Sequence, residues 1–157
     1  MAYTQREKTL EETYDSCLSD GFIENIDISH SNARTLMENA KTTLNSANAF
    51  TKTISKNSKE WQSIYTLTYD AIRMLAESLL AFDGINSKDD KCLFSALCIR
   101  HPELDFEWGF FEKIRAKIND INEEGLELSN KDFKEVELQM KLYIMTLTKE
   151  IEKKLAS

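Results

Sequence analysis

Arg115, Lys117, Asn119 and Asn122 follow one another within FFEKIRAKINDINEEG, residues 110–125, beside an apolar set, Phe111, Ile114, Ile118 and Ile121, that recurs at spacings of three and four. A guanidinium and an ammonium hold phosphate or carboxylate oxygens, and an asparagine amide both donates and accepts hydrogen bonds. Such a set suits gripping a nucleic-acid backbone or a partner's polar surface. Glu112, Arg115, Asn119 and Asn122 keep the same rhythm one residue after the apolar stripe, so one helix carries two faces. Asparagine is a poor helix former because its amide competes for backbone hydrogen bonds. The polar face is therefore read as a site, with a plain solvated face as the alternative.

A second polar cluster, Tyr69, Asp70, Arg73 and Glu77, lies in TLTYDAIRMLAESLLAF. Its spacing fits an ion-pair ladder along one helix. It also allows Arg73 to reach across and fix the amides of Asn119 or Asn122, and a pocket between those faces would take a small ligand. Other chemistries find no residues. Bundle metal sites use Glu-x-x-His pairs, yet neither His30 nor His101 follows a glutamate by three, and Asp27 before His30 is incidental. A phosphate loop, a nucleophile elbow and zinc spacing are all missing from the sequence, so no metal and no cofactor is expected.

The elements that must position these residues are helical. Four glycines and one proline among 157 residues leave few turns for a β fold. Residues 3–18 suit a short acidic helix ended by Ser19-Asp20-Gly21, and FIENIDIS reads as an extended linker. A thin Ala-rich helix starts near Ser29 and runs to about Ile54. Asn57 or Ser58, with Glu60, offers a capping box for the strongest core helix, Trp61 to Phe82, which Gly84 stops. Ser87 with Asp90 caps a short helix over KCLFSALCIR, Asp105 caps the Phe106–Glu124 helix, and Ser129 with Asp132 starts the last one. The expectation is an all-α, antiparallel (up-and-down) four-helix bundle over 28–157, with a short extra helix and an N-terminal helical extension, 1–27, either docked or forming an arm.

The formal net charge of −7 supplies no general attraction for nucleic acid. Cys17, Cys92 and Cys98 are odd in number and lack CxxC spacing, which reads as three reduced thiols, the last two as small buried hydrophobes. The N-terminal stretch has no apolar signal region, and no apolar run is long enough to cross a bilayer; a cytoplasmic protein is expected.

The stretches TYDAIRMLAESLLAFDGINSKDDKCLF and ELDFEWGFFEKIRAKINDINEEG, in that order, resemble the small stand-alone prokaryotic members of the HEPN family, and the likeness spans roughly residues 29–155. Tyr69-Asp70-Ala71-Ile72-Arg73, Gly84 and Lys91-Cys92-Leu93 resemble that family's Tyr-x-Ala-x-Arg helix, glycine turn and Lys-x-Leu helix start. Phe110-Phe111-Glu112-Lys113-Ile114-Arg115 is similar to its Phe-Phe-x-Lys-Ile-Arg run. Ribonuclease members carry a histidine a few residues after the arginine, in a cleft between two protomers. Here none follows Arg115, Ile118 stands where a second arginine is expected, and Glu123-Glu124 replaces paired tyrosines.

The resemblance implies a homodimer, with a nucleotidyltransferase-type partner of the toxin–antitoxin kind. Phe110, Arg115, Asn119 and Asn122 are expected to contact the neighbour. The alternative is a metal-independent endoribonuclease of the HEPN toxin type, with Arg115 and Lys117 on RNA phosphate and Asn119 or His101 orienting the reacting groups.

Overall fold

The computed structural model describes residues 6–157; residues 3–5, where the first helix was expected to begin, lie outside them, and residues 6–9 are not helical, so the helix expected over 3–18 starts only at Leu10, capped by Thr9. The described chain is mostly helical. Its elements are α1 (Leu10–Ser19), β1 (Ile23–Asn25), α2 (His30–Thr51), α3 (Trp61–Ala81), β2 (Ile85–Ser87), α4 (Asp90–Arg100), a 3-10 turn (Pro102–Leu104), α5 (Trp108–Glu124) and α6 (Asn130–Ala156).

α3 is the central element, because apolar residues surround it rather than line one side. Ile64, Ile72, Leu75 and Leu79 are at most 1% exposed. α2 lies antiparallel beside it. Small Ala33, Ala40 and Ala47 let the two backbones approach, and buried Ser78 donates its hydroxyl to the Ala33 carbonyl at 2.8 Å. α6 covers another side of α3 with Phe133, Val136, Met140, Leu147 and Ile151. α4 and α5 close the remainder through Phe94 stacked on Phe111, ring centres 4.5 Å apart. Burial of side chains of this size, worth about 2 kcal/mol each, is the main term holding the elements together.

The N-terminal segment is tied to this core in two ways. β1 pairs antiparallel with β2, Ile23 opposite Ser87 and Asn25 opposite Ile85, a ribbon absent from the all-helical expectation. Gly84 makes its entry possible. Its φ is +72°, its carbonyl accepts from the Ile26 N–H at 2.8 Å, and a Cβ there would come within 3.3 Å of the Ile26 oxygen. The second tie corrects the expectation of three reduced thiols: Cys17 of α1 and Cys92 of α4 form a disulfide, with Cα atoms 5.7 Å apart. Ribbon pairing folds α1 back onto α4, which brings together two cysteines with no motif spacing. Cys98 is the buried free thiol, lifted to about 12 by its burial.

Several helix starts differ from the expected caps. Glu60 precedes α3 in helical conformation with no side-chain cap, while Ser58 accepts the Glu60 N–H in a local turn and Trp61 donates its indole N–H to the Ser55 carbonyl. Asp89, not Ser87, caps α4 by accepting the Cys92 N–H at 2.9 Å. Asp105 adopts a left-handed conformation that ends the 3-10 turn, so α5 starts at Trp108 instead of Phe106, and the Glu107 N–H donates to Tyr143 Oη. The Ser129–Asp132 capping box forms as expected, as do the stops at Gly84 and Gly125.

Candidate functional site

Asp90 joins the two polar clusters that the sequence left on separate helices. It sits in the first turn of α4, where a carboxylate suits the helix dipole, and accepts the Tyr69 hydroxyl of α3 at 2.7 Å. Tyr69 is 2% exposed and packs edge-on against Phe94. Burial first, then the Asp90 carboxylate, push its phenol far above the ordinary range, with Arg115 and Arg73 pulling weakly the other way. Tyr69 therefore stays protonated and serves as a fixed donor.

Both arginines are engaged by acids on their own helices. Arg115 takes a fork on Glu112, from Nε at 3.2 Å and Nη2 at 3.1 Å. Arg73 donates to Glu77 at 3.1 Å and stands 4.0 Å from Asp70, so the ladder along α3 is the arrangement present; Arg73 hydrogen-bonds neither Asn119 nor Asn122. Burial raises the Asp70 and Glu77 carboxyls, and the Arg73 guanidinium brings part of that back.

Arg115 and half-buried Asn119 line one side of an open groove of about 360 Å³, with Lys88, Asp89, Asp90 and Lys91 of the β2–α4 junction on the other. Asp89 is committed to its cap and Asp90 to Tyr69, whereas Lys88 and Lys91 have no ion-pair partner among the described residues. The groove thus presents two ammonium side chains, a half-occupied guanidinium and the Asn119 amide around the Asp89 and Asp90 carboxylates. Lys88, Asp90 and Lys91 escaped sequence reasoning because KDDK immediately precedes an apolar helix and reads as capping. The run's two lysines were the available signal.

The other candidates lie elsewhere. Asn122 is exposed near the end of α5. Lys117 points to a second hollow of about 240 Å³ between α5 and α6, 3.5 Å from Asp132. Phe110 is 7% exposed and packs against Tyr143, ring centres 5.1 Å apart. His101 is buried at the far end of α4, with Nε2 2.7 Å from Asp83 and Nδ1 3.1 Å from Glu103, while Arg100 also reaches Asp83 at 3.2 Å. The 11 residues of α4 hold it roughly 16 Å along the axis from Asp90. It therefore ties the end of α3 to the end of α4 rather than facing Arg115. Among the described residues no His, Cys, Asp and Glu group is arranged to hold a metal, and no helix is long and apolar enough to cross a membrane.

No family model, no curated protein and no solved structure matches this chain.

Proposed function

We propose that the chain is a HEPN-like antiparallel four-helix bundle that acts by association, as a homodimer and with an acidic or phosphate-bearing surface of a second macromolecule, for which a nucleotidyltransferase-type partner protein is our choice. The observation that carries this reading is the groove of Lys88, Lys91, Arg115 and Asn119. It holds three cations for binding beside two carboxylates already bonded within the chain, while buried Tyr69 is locked on Asp90 and Arg115 is held by Glu112. Those commitments favour recognition over proton transfer. A cytoplasmic setting is part of the same proposal, and the Cys17–Cys92 bond is the one observation that stands against it, since disulfides are rare in that compartment.

The second reading, a metal-independent ribonuclease, is favoured by one observation: the same two lysines and Arg115 stand where three phosphate contacts would be useful. One incubation separates the two. Pure protein mixed with total RNA in the presence of chelator leaves the RNA intact under the association reading. Cleavage that disappears in Arg115→Ala establishes the enzyme instead. Binding is read by titrating the candidate partner: Lys91→Glu with Arg115→Ala should weaken the complex at least tenfold, and unchanged affinity would remove the groove from the proposal.

A further inference from the structure

α6 carries two apolar stripes, and the core uses only one. The second, Leu138, Leu142 and Met145, is 72%, 50% and 55% exposed. Spacings of four and three place these side chains on one side of the helix, away from Phe133, Met140 and Leu147. A single exposed leucine is ordinary on a soluble protein, but three in register over two turns form a continuous strip. The strip is bounded by charges of opposite sign: exposed Glu135 two turns before Leu142, and exposed Lys149 two turns after it. Nearby Glu137 is taken by Lys134 and Lys141, whereas Glu135 and Lys149 make no ion pair among the described residues.

A strip with an acid at one end and a base at the other is complementary to its own reverse. We propose that α6 pairs antiparallel with α6 of a second copy of this chain, about a two-fold axis at Leu142. This rests on the self-association part of the proposed function and gives it a surface. Leu142 then meets its own copy, Leu138 lies beside Met145 of the second copy, and Glu135 faces Lys149 of the second copy twice over, as an isologous contact requires.

The flank fits as well. Between α2 and α6, next to Met145 and Lys149, opens a hollow of about 260 Å³ walled by Ala40, Leu44, Leu75 and Ile144. The two-fold leaves Leu138 of the second copy on that side of the helix pair and at the level of Met145, so its side chain fills the hollow. Helix pairing over a few turns with this flank is near the lower end of stable interfaces, roughly 1,200 Å² in total. Area alone does not set affinity, so the expectation is a dimer that dissociates on dilution.

Sedimentation velocity tests the pairing. The intact chain should sediment as a dimer at about 50 µM and dissociate on dilution. Leu142→Glu should be monomeric at that concentration with an unaltered helical circular dichroism spectrum, since the residue is half-exposed. Glu135→Lys and Lys149→Glu should each weaken the dimer about tenfold, and the two together should restore it, because the double reversal re-forms both ion pairs. Leu142→Cys should cross-link to its copy on mild oxidation. A monomeric wild-type chain would overturn this inference and the homodimer reading together. A dimer that survives Leu142→Glu but is lost in Arg115→Ala with Asn119→Ala would overturn the α6 surface alone and assign the contact to α5.

Discussion

Breaking the Cys17–Cys92 bond should lower stability by an amount the loop length predicts. The bond spans a sequence separation of 75, and the chain-entropy relation for a loop of that size gives roughly 4.5 kcal/mol. Against a total of about 5–15 kcal/mol for a domain this is a large fraction. Urea unfolding of the oxidised protein, repeated in reductant, is the assay. With a denaturant slope near 2 kcal/mol per molar, reduction should move the midpoint down by about 2 M. Cys17→Ala with Cys92→Ala should reproduce the reduced curve and be indifferent to reductant. The bond closes α1 onto α4 but leaves the α2, α3 and α6 core untouched, so the reduced protein should still unfold cooperatively. A midpoint shift below about 0.5 M would refute the entropic reasoning. Three titratable thiols in the unfolded, unreduced protein would refute the bond itself; one, from Cys98, is expected.

Three further outcomes follow from named contacts. Tyr69→Phe keeps the packing on Phe94 but leaves Asp90 without its donor, so thermal unfolding should show a loss of about 1.5–2 kcal/mol, and an unchanged melting temperature would contradict the bond. Gly84→Ala forces a left-handed φ and crowds the Ile26 carbonyl; a cost of about 1–2 kcal/mol and faster amide exchange at Ile26 and Asn25 are expected, and unaltered exchange would sink it. Burial raises the folded-state Glu77 carboxyl above its ordinary 4.5, with Arg73 offsetting part, so ionising Glu77 costs stability as pH rises through its folded value. Glu77→Gln should therefore be at least as stable as the parent at pH 7 and should flatten the loss between pH 4.5 and 7, checked by urea midpoints across that range.

The long helices were legible because their periodicity is undiluted. Trp61, Ile64, Tyr65, Thr68, Ile72, Leu75 and Leu79 all lie buried along α3, and the Ser129–Asp132 box marks the start of α6 in both sequence and structure. The illegible parts were those decided by distant partners. Asp105 has good capping chemistry, yet the Tyr143 hydroxyl claims the Glu107 N–H and the helix begins later. FIENIDIS has strand-like residues, but only pairing with Ile85–Ser87 makes three of them a strand. The cysteine pair failed for the same reason: spacing carries no information about two residues that a ribbon brings together.

For the site, residue types were readable and their alliances were not. Arg115 and Asn119 do share a groove, but its other wall comes from Lys88 and Lys91, and Asp90 links it to Tyr69. The intervening element is α4, whose first turn supplies both charge and cap while its remaining length is core. That division also explains why His101 cannot serve Arg115. The helix that places Asp90 in the groove carries His101 away to Asp83 and Glu103, where its ring is held on both nitrogens. Moving it to the groove would break that clasp at the ends of α3 and α4, and the other histidine, His30, is placed at the start of α2 against Phe82, ring centres 5.1 Å apart.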